Sequence, residues 1–430
     1  MLERSCDVAV VGGGLGGLAV AALLARRGFA VVVSERAHQL GGRAASHAHK
    51  GFHYNEGPHA LYRGGAAARV LSQLDVRWTG RRPPGRGVAV LAGRSHALPA
   101  TAASLLATGL VRWSAKVQGA RLLAGIGSVD AHLLRGVPLE AWLESQVPDR
   151  TMRAAVLAFV RVTTYVDAPS MLDAGAAIEQ LRLAQRAGVA YVDEGWQTLV
   201  DGLSKAAAAA GAVVQAGARV LCAAPHSQGW KVSLEGGRSL ACRAIVLATG
   251  PTAARSIVSS DALAGWANRA LPVRAACLDV ALARLPAPKT TFALGIDRPL
   301  YLSVHSHFAR LAPEGAALVS TMKYLAPGED SDADADLASL EAWLDGLQPG
   351  WRELVLERRW LPAMIASNAL VTAAGGGFAG RPGPRIPDAR AAFVVGDWVG
   401  AEGMLLDASL ASAARTSAEL GDALTGAKVA

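Results

Sequence analysis

The run from Val8 to Ala25, VAVVGGGLGGLAVAALLA, carries no charged residue. About 20 apolar residues would be enough to span a bilayer. The glycines argue against that. Gly12, Gly13, Gly14, Gly16 and Gly17 sit at its middle, and each weakens a helix interior by roughly 1 kcal/mol relative to alanine. A strand, a turn and a helix fit the run better. Val8 to Val11 reads as a β-branched buried strand, Gly12-x-Gly14-x-x-Gly17 as the turn, and Leu18 to Arg27 as a helix that Gly28 is placed to end. Ala30 to Val33 reads as a second buried strand with Glu35 at its end.

Strand, glycine turn, helix, strand and acid in that order form a dinucleotide-binding fingerprint. Gly12 makes the tight turn, Gly14 lets a pyrophosphate approach the backbone, and Gly17 lets helix and strand pack closely. The free amides and dipole of the helix N-terminus favour phosphate charge. Glu35 is placed to accept hydrogen bonds from both ribose hydroxyls. Leu15, Gly16 and Arg36 flank these positions and complete the candidate set at this end of the chain.

At 430 residues the chain is too long for one small core and suits two domains. Hydrophobic residues make up 51% and charged residues 18%, as expected of a large core or an apolar cavity. The net charge of +8 is carried mostly by arginines scattered along the chain, which argues against a nucleic-acid stripe. It leaves room for peripheral contact with an anionic membrane surface. Cys6, Cys222, Cys242 and Cys277 form no CxxC pair and read as thiols in a reducing, cytoplasmic setting, and no signal peptide precedes the apolar run.

Further pieces of nucleotide fold recur downstream. Val213–Val214, Val220–Ala223 and Trp230–Leu234 read as strands, Ala244–Ala248 as a buried strand ending in Thr249-Gly250-Pro251, and Ala392–Val395 as a last strand ending at Gly396-Asp397. Two other segments are threaded between them. The pattern from about Ala100 to Arg186 is helical; that from Val273 to Tyr324 reads as antiparallel strands, followed by an acidic helix-initiating run from Glu329 to Asp336. The expected division is therefore a discontinuous unit, 1–80, 190–265 and 385–430, and a second one, 81–189 and 266–384. A simple nicotinamide dehydrogenase would hold its nucleotide domain as one block.

Taken in order, these stations resemble the FAD-dependent phytoene desaturase and amine oxidase superfamily. The resemblance implies an α/β, two-domain flavoprotein: a Rossmann-like FAD-binding domain and an α+β substrate domain with an antiparallel sheet and a helical cap. It implies non-covalent FAD, since no cysteine lies near the last motif. Gly42 and Arg43 of GGR would meet the pyrophosphate. Gly57, Pro58 and His59, in the turn Asn55-Glu56-Gly57-Pro58-His59, would approach the isoalloxazine ring. Val220 would hold adenine through its backbone, and Thr249 and Gly250 would close on the cofactor. Gly396 and Asp397 would contact the ribityl chain or a phosphate, and the amides of Met404, Leu405 and Leu406 would face flavin N1 and O2. Two departures stand out. Met404 occupies the place where amine oxidases put an aromatic cage residue, and a glycine pair of the family appears as Glu194-Gly195.

The resemblance implies two-electron oxidation of a C–H bond, desaturation or a related reaction, in a hydrophobic small molecule. An amine oxidase, a flavin-dependent isomerase and a non-catalytic prenyl carrier are the alternatives. For a base, His59 stands first because it follows the flavin-facing turn, and Tyr62 next; a His59 that only hydrogen-bonds backbone or FAD is the competing reading. Tyr301, His305 and His307 would share one face of a strand. His47, His49 and His53 would share one side of an extended segment, with no acids or cysteines at metal-ligand spacing. Lys323 is a remote candidate for ordering a water near flavin. The stretch from Leu98 to Ile126 reads as an amphipathic cap whose apolar face covers a core, with lipid contact the lesser alternative. Neither the electron acceptor nor the oligomeric state is legible in these residues.

Overall fold

A computed structural model describes residues 4–227, 229–328 and 331–429; Glu329 and Asp330 of the acidic run lie outside the described residues. The strand Arg4–Val11 is central to a seven-stranded sheet. It pairs in parallel with Val31–Ser34 on one side and Ser239–Leu247 on the other, with Val8 facing Val31 and Ala244. Val213–Gln215 continues the parallel array beyond Val31–Ser34. Beyond Ser239–Leu247 the sheet splits: its first half pairs antiparallel with Gly229–Leu234, which pairs with Val220–His226, while its last residues pair in parallel with Ala392–Val394. All these strands fall in the segments 1–80, 190–265 and 385–430.

Strands buried on both faces read as continuous apolar runs, which is why Val8–Val11 and Ala244–Leu247 show no alternation. The fingerprint helix Leu15–Arg26 has no polar face either. It packs against Gln197–Ala209 and the terminal helix Leu405–Val429, and its residues from Leu18 to Ala25 are all buried. An all-round apolar helix is stable only in such a place.

The second seven-stranded sheet runs in the order Val355–Ser367, Val273–Leu282, Ala317–Leu325, Leu300–Ser303, Phe292–Gly295, Val88–Leu91, Arg94–Ala97. Every neighbouring pair is antiparallel except Phe292–Gly295 with Val88–Leu91. One face, with Leu278, Val280, Leu302 and Val319, is covered by the helix Ala333–Leu347 through Leu340, Trp343 and Leu344. The opposite face, with Cys277, Tyr301, Met322 and Tyr324, is covered by the helix Arg150–Thr164 and by Leu98 and Leu110. Two parts of this sheet have no counterpart in the sequence reading: the strand Val355–Ser367 and the hairpin of Val88–Leu91 with Arg94–Ala97.

The histidine-rich stretch folds differently from the extended segment expected. Ser46–His49 and Phe52–Asn55 form a hairpin in which Ala48 faces His53 and His47 faces Tyr54. The turn at Lys50 and Gly51, both at positive φ, puts His53 on a different strand from His47 and His49. His47 and His49 instead reach Glu56 and Glu357.

Candidate functional site

The parallel strands of the first sheet end together at Val11, Ser34, Leu247 and Val394. In open α/β sheets ligands bind beyond these carboxyl ends. Here Gly12, Glu35, Thr249-Gly250 and Gly396-Asp397 follow the strands. Gly12 has φ +112°, and a Cβ on it would lie 2.5 Å from the Ala248 oxygen. A Cβ on Gly17 would lie 2.0 Å from the Gly12 oxygen, so close helix–strand packing requires that glycine. Gly16 is pressed on Val395 in the same way. Gly14 differs: a Cβ there would meet only the Gly41 oxygen, at 3.6 Å. Gly14 is the N-cap of the fingerprint helix, no side chain caps it, and its open side is shared with the GGR turn, where Gly41 donates to the Gly13 carbonyl at 2.9 Å. These are the features of a phosphate cradle: uncapped helix amides and a glycine with room in front of it.

Glu35 is buried. Its carboxylate accepts the Gly13 amide at 2.7 Å and the Ala37 amide at 2.9 Å, which fixes it beside the glycine turn. Gly217 and Ala218 donate to the carbonyls of Ala37 and Glu35, laying Val220 alongside. Arg36 is exposed. At the other end Arg43 donates to the Ala366 carbonyl and, at 2.8 Å, to Asp397. Asp397 also accepts the Asn368 amide at 3.0 Å and the Asn368 side chain at 2.8 Å. Burial alone would push its carboxyl up, but Arg43 and Asn368 overcome that and hold it below the usual carboxylate range. Arg381 donates to the carbonyls of Asp397 and Gly403 and so ties both ends of the loop that leads into the terminal helix. That helix begins at Leu405, a non-glycine residue at φ +54°, the kind of backbone strain found at ligand clamps. Met404 is buried against Ala176, Val371 and Phe378, and Leu406 packs on the fingerprint core.

The turn after Phe52–Asn55 joins the two sheets. Gly57 has φ +85°, and a Cβ there would lie 2.2 Å from the Met364 sulfur. Tyr165 donates its hydroxyl to the Pro58 carbonyl. His59 Nδ1 bonds the Gly57 carbonyl at 2.7 Å, and its ring meets Trp196 edge-on at 4.5 Å between centroids. Burial lowers the His59 pKa. Since a carbonyl only accepts, Nδ1 carries the proton of the neutral ring. The Trp196 indole N–H is buried with no acceptor among the described residues. Asn55 and Ser46 accept the amides of Trp196 and Gln197 and so cap the helix Gln197–Ala209. Glu194 sits at φ +62°, in the left-handed conformation a glycine would take without strain.

Beneath this turn lies a packed aromatic and apolar cluster. Cys277 and Met364 lie nearest Gly57, and Tyr165, Tyr301, Tyr324 and Tyr191 lie around them. His305 is stacked on Tyr191 at 3.9 Å and hydrogen-bonded to the Tyr301 hydroxyl at 3.0 Å. Burial pulls its pKa down to about 3, so it is a neutral imidazole and a weak base at pH 7. Tyr324 is 1% exposed and its hydroxyl has no partner among the described residues.

Several expectations for catalytic residues need correction. Tyr62 is buried with its hydroxyl donated to the Thr163 carbonyl at 2.9 Å, and burial raises its pKa. Neither His305 nor His307 shares a strand face with Tyr301. The strand stops at Ser303, His305–His307 form a 3₁₀ turn, and His307 is exposed on a surface cleft with Arg284 and Pro288. Lys323 points to the other face of the sheet, where it pairs with Asp336. Trp196, Asn368, Arg381 and Tyr165 were not found by sequence reasoning. Each acts across more than a hundred residues or from a stretch without local pattern, and only the aromatic residue beside the Glu194-Gly195 turn carried a signal that could have marked it.

The residues present fit a dinucleotide flavin: an open, uncapped glycine turn, an acid beside it, a buried indole donor without an acceptor, and the Arg43–Asp397–Asn368 cluster at the far end. Comparison with known proteins agrees. A family model described as flavin containing amine oxidoreductase matches residues 15–276, more than half of the chain. Phytoene desaturase of Cercospora nicotianae is 40% identical over 65 residues, 15% of this chain and 10% of that protein. A limonene dehydrogenase polypeptide of Castellaniella defragrans is 36% identical over 104 residues, 24% of this chain and 16% of that protein. The chain thus aligns with only a small part of the length of these curated relatives. Putrescine oxidase bound to putrescine has the same fold, with a TM-score of 0.74 at 16% identity over 97% of this chain and 99% of that one. The chain belongs to the FAD-dependent flavin-containing amine oxidoreductase family.

Proposed function

We propose that this enzyme removes two electrons from a C–H bond of an apolar or weakly polar small molecule, as in desaturation. The observation that carries this reading is the apolar cluster under Gly57-Pro58. Its side chains are tyrosine, cysteine, methionine and aliphatic, and two cations beside it are paired, Arg161 with Asp167 and the Gly295 carbonyl and Arg359 with Glu56. FAD, when bound, supplies the acceptor for two electrons. The chain's own residues hold and orient. Arg43, Asp397 and the amides at Gly14 would hold the cofactor, and Tyr165 braces the Gly57 turn over the apolar cluster. Those apolar side chains would exclude water from a substrate and select by shape.

Neither histidine beside the cluster is a strong base, since His305 is held near 3 and His59 is lowered by burial. The reading therefore assigns His59 to positioning the Gly57 turn rather than to proton removal. The two curated relatives are named for limonene and phytoene, both hydrocarbons, which supports the same substrate class. Met404 lies in an apolar cluster, which gives an amine no aromatic cage at that position. Turnover of a panel of terpene hydrocarbons and of primary amines, with products identified by mass, tests the reading. A product two hydrogens lighter from a hydrocarbon supports it; aldehyde from amines alone overturns it.

A further inference from the structure

The basic residues are less scattered than their count suggests. Between Val76 and Val129 there are eight Arg and Lys residues and no Asp or Glu; the rest of the chain balances, 35 basic against 35 acidic. The whole net charge of +8 thus comes from one stretch. Among the described residues none of these eight forms an ion pair, although acids elsewhere on the protein pair freely. All but Lys116 are exposed. Two acids on neighbouring elements are spent on backbone: Asp297 accepts the Ala92 amide and Asp149 caps the helix Arg150–Thr164.

The same stretch presents large apolar side chains to solvent. Trp113 is 67% exposed and Leu106 58% exposed. Lys116 donates to the Leu106 carbonyl at 2.6 Å, which ties the short helix Ala102–Ala107 to the start of the helix Trp113–Gly125. The inner side of the second helix is Ala115 and Gly119; its outer side carries Trp113, Ala120, Arg121 and Ala124. Gly85, in the loop with Arg86, lies beside Thr101 at the start of the first helix. Thr108 between the two helices bonds the Ala97 carbonyl of the hairpin that carries Arg94. Tryptophan and leucine set among unpaired basic side chains match an anionic lipid surface: apolar groups enter the acyl boundary and cations meet the headgroups. A nucleic-acid or acidic-protein partner would use the charge but leave Trp113 and Leu106 without a role.

We propose that the corner formed by Leu106, Arg112, Trp113, Lys116 and Arg121 docks the protein on an anionic lipid bilayer. Leu98, Leu110 and Val111, from the same stretch, pack into the apolar cluster that also holds Tyr301 and Tyr324, so the docked face is one layer from that cluster. The proposal does not depend on the substrate, because binding is read without any. Co-sedimentation of the flavin-loaded protein with phosphatidylcholine vesicles, with and without phosphatidylglycerol, tests it. Expected is binding to the anionic vesicles only, weakening as salt rises. Reversing Arg112, Lys116 and Arg121 to Glu should weaken it at least about a hundredfold, at roughly fivefold or more per charge. Trp113→Ser with Leu106→Ser should weaken it at least about tenfold at unchanged charge; thermal melting and flavin content check that both variants are folded, and Trp113→Ser alone serves if either is not. No binding to anionic vesicles, equal binding by wild type and variants, or tighter binding to duplex DNA or polyglutamate at the same salt would overturn it.

Discussion

Gly14 and Gly17 lie in one turn, yet they are glycine for different reasons. Gly17 faces the chain's own backbone, and its Cβ would sit 2.0 Å from the Gly12 oxygen; Gly14 faces open space, with φ −76° and 3.6 Å to the nearest oxygen. Gly17→Ala should therefore cost more than about 3 kcal/mol or prevent folding. Gly14→Ala should melt within a few degrees of wild type but purify with little flavin. Melting curves and the visible absorbance of each protein check this pair. Arg43 gives a second contrast. Its side chain is 42% exposed while that of Asp397 is 1% exposed, so Arg43→Ala strands a buried carboxylate on Asn368 alone. A loss of about 1–3 kcal/mol is expected, below the value for a fully buried pair because the guanidinium is partly solvated. Flavin affinity should fall with it. Tyr324→Phe removes a buried hydroxyl that has no partner among the described residues, so the substrate-free protein should gain about 1 kcal/mol by chemical denaturation.

At the scale of elements, the fingerprint unit was legible because all its determinants are local: a β-branched run, glycines at fixed spacing and an acid at the next strand end. The strand Val355–Ser367 was not. It is an edge strand with Pro362 inside it and charges at Glu357, Arg358 and Arg359, so neither alternation nor a buried run marks it. Period two carried Tyr301 and Ser303 correctly but failed at His305, because the chain leaves the sheet after Ser303 and a tight turn buries one histidine and exposes the other. The stretch from Leu98 to Ile126 does cover a core, but Leu106 and Trp113 lie on its outer side. The strand Val273–Leu282 carries Asp279, 3% exposed, whose carboxyl burial pushes up to about 6 despite the Ser320 hydroxyl that donates to it. The folded state then holds a proton that the unfolded chain releases at its ordinary value of 3.8. This contribution to stability is present at low pH and is lost as pH rises from about 4 to about 6. Relative to Asp279→Asn, the wild type should lose on the order of 3 kcal/mol across that window and nothing further above it. Urea titrations of both proteins at several pH values measure the difference.

At the scale of the molecule, the chain crosses four times between two sheets, and the turn at Gly57 from the first packs on Cys277 and Met364 of the second. The return of the chain to the first sheet was visible in the sequence because strand-end glycine motifs recur near the start, the middle and the end. What lines the space between was not, since Tyr165, Trp196, Tyr324 and Met364 meet only through the fold. On the proposed function, these side chains present a hydrocarbon, not an amine, to the flavin. Oxygen-free titration of the flavin-loaded protein measures that directly. The account predicts that terpene-like olefins bleach the flavin's visible absorbance while primary amines and putrescine do not; bleaching by amines with olefins inert would contradict it.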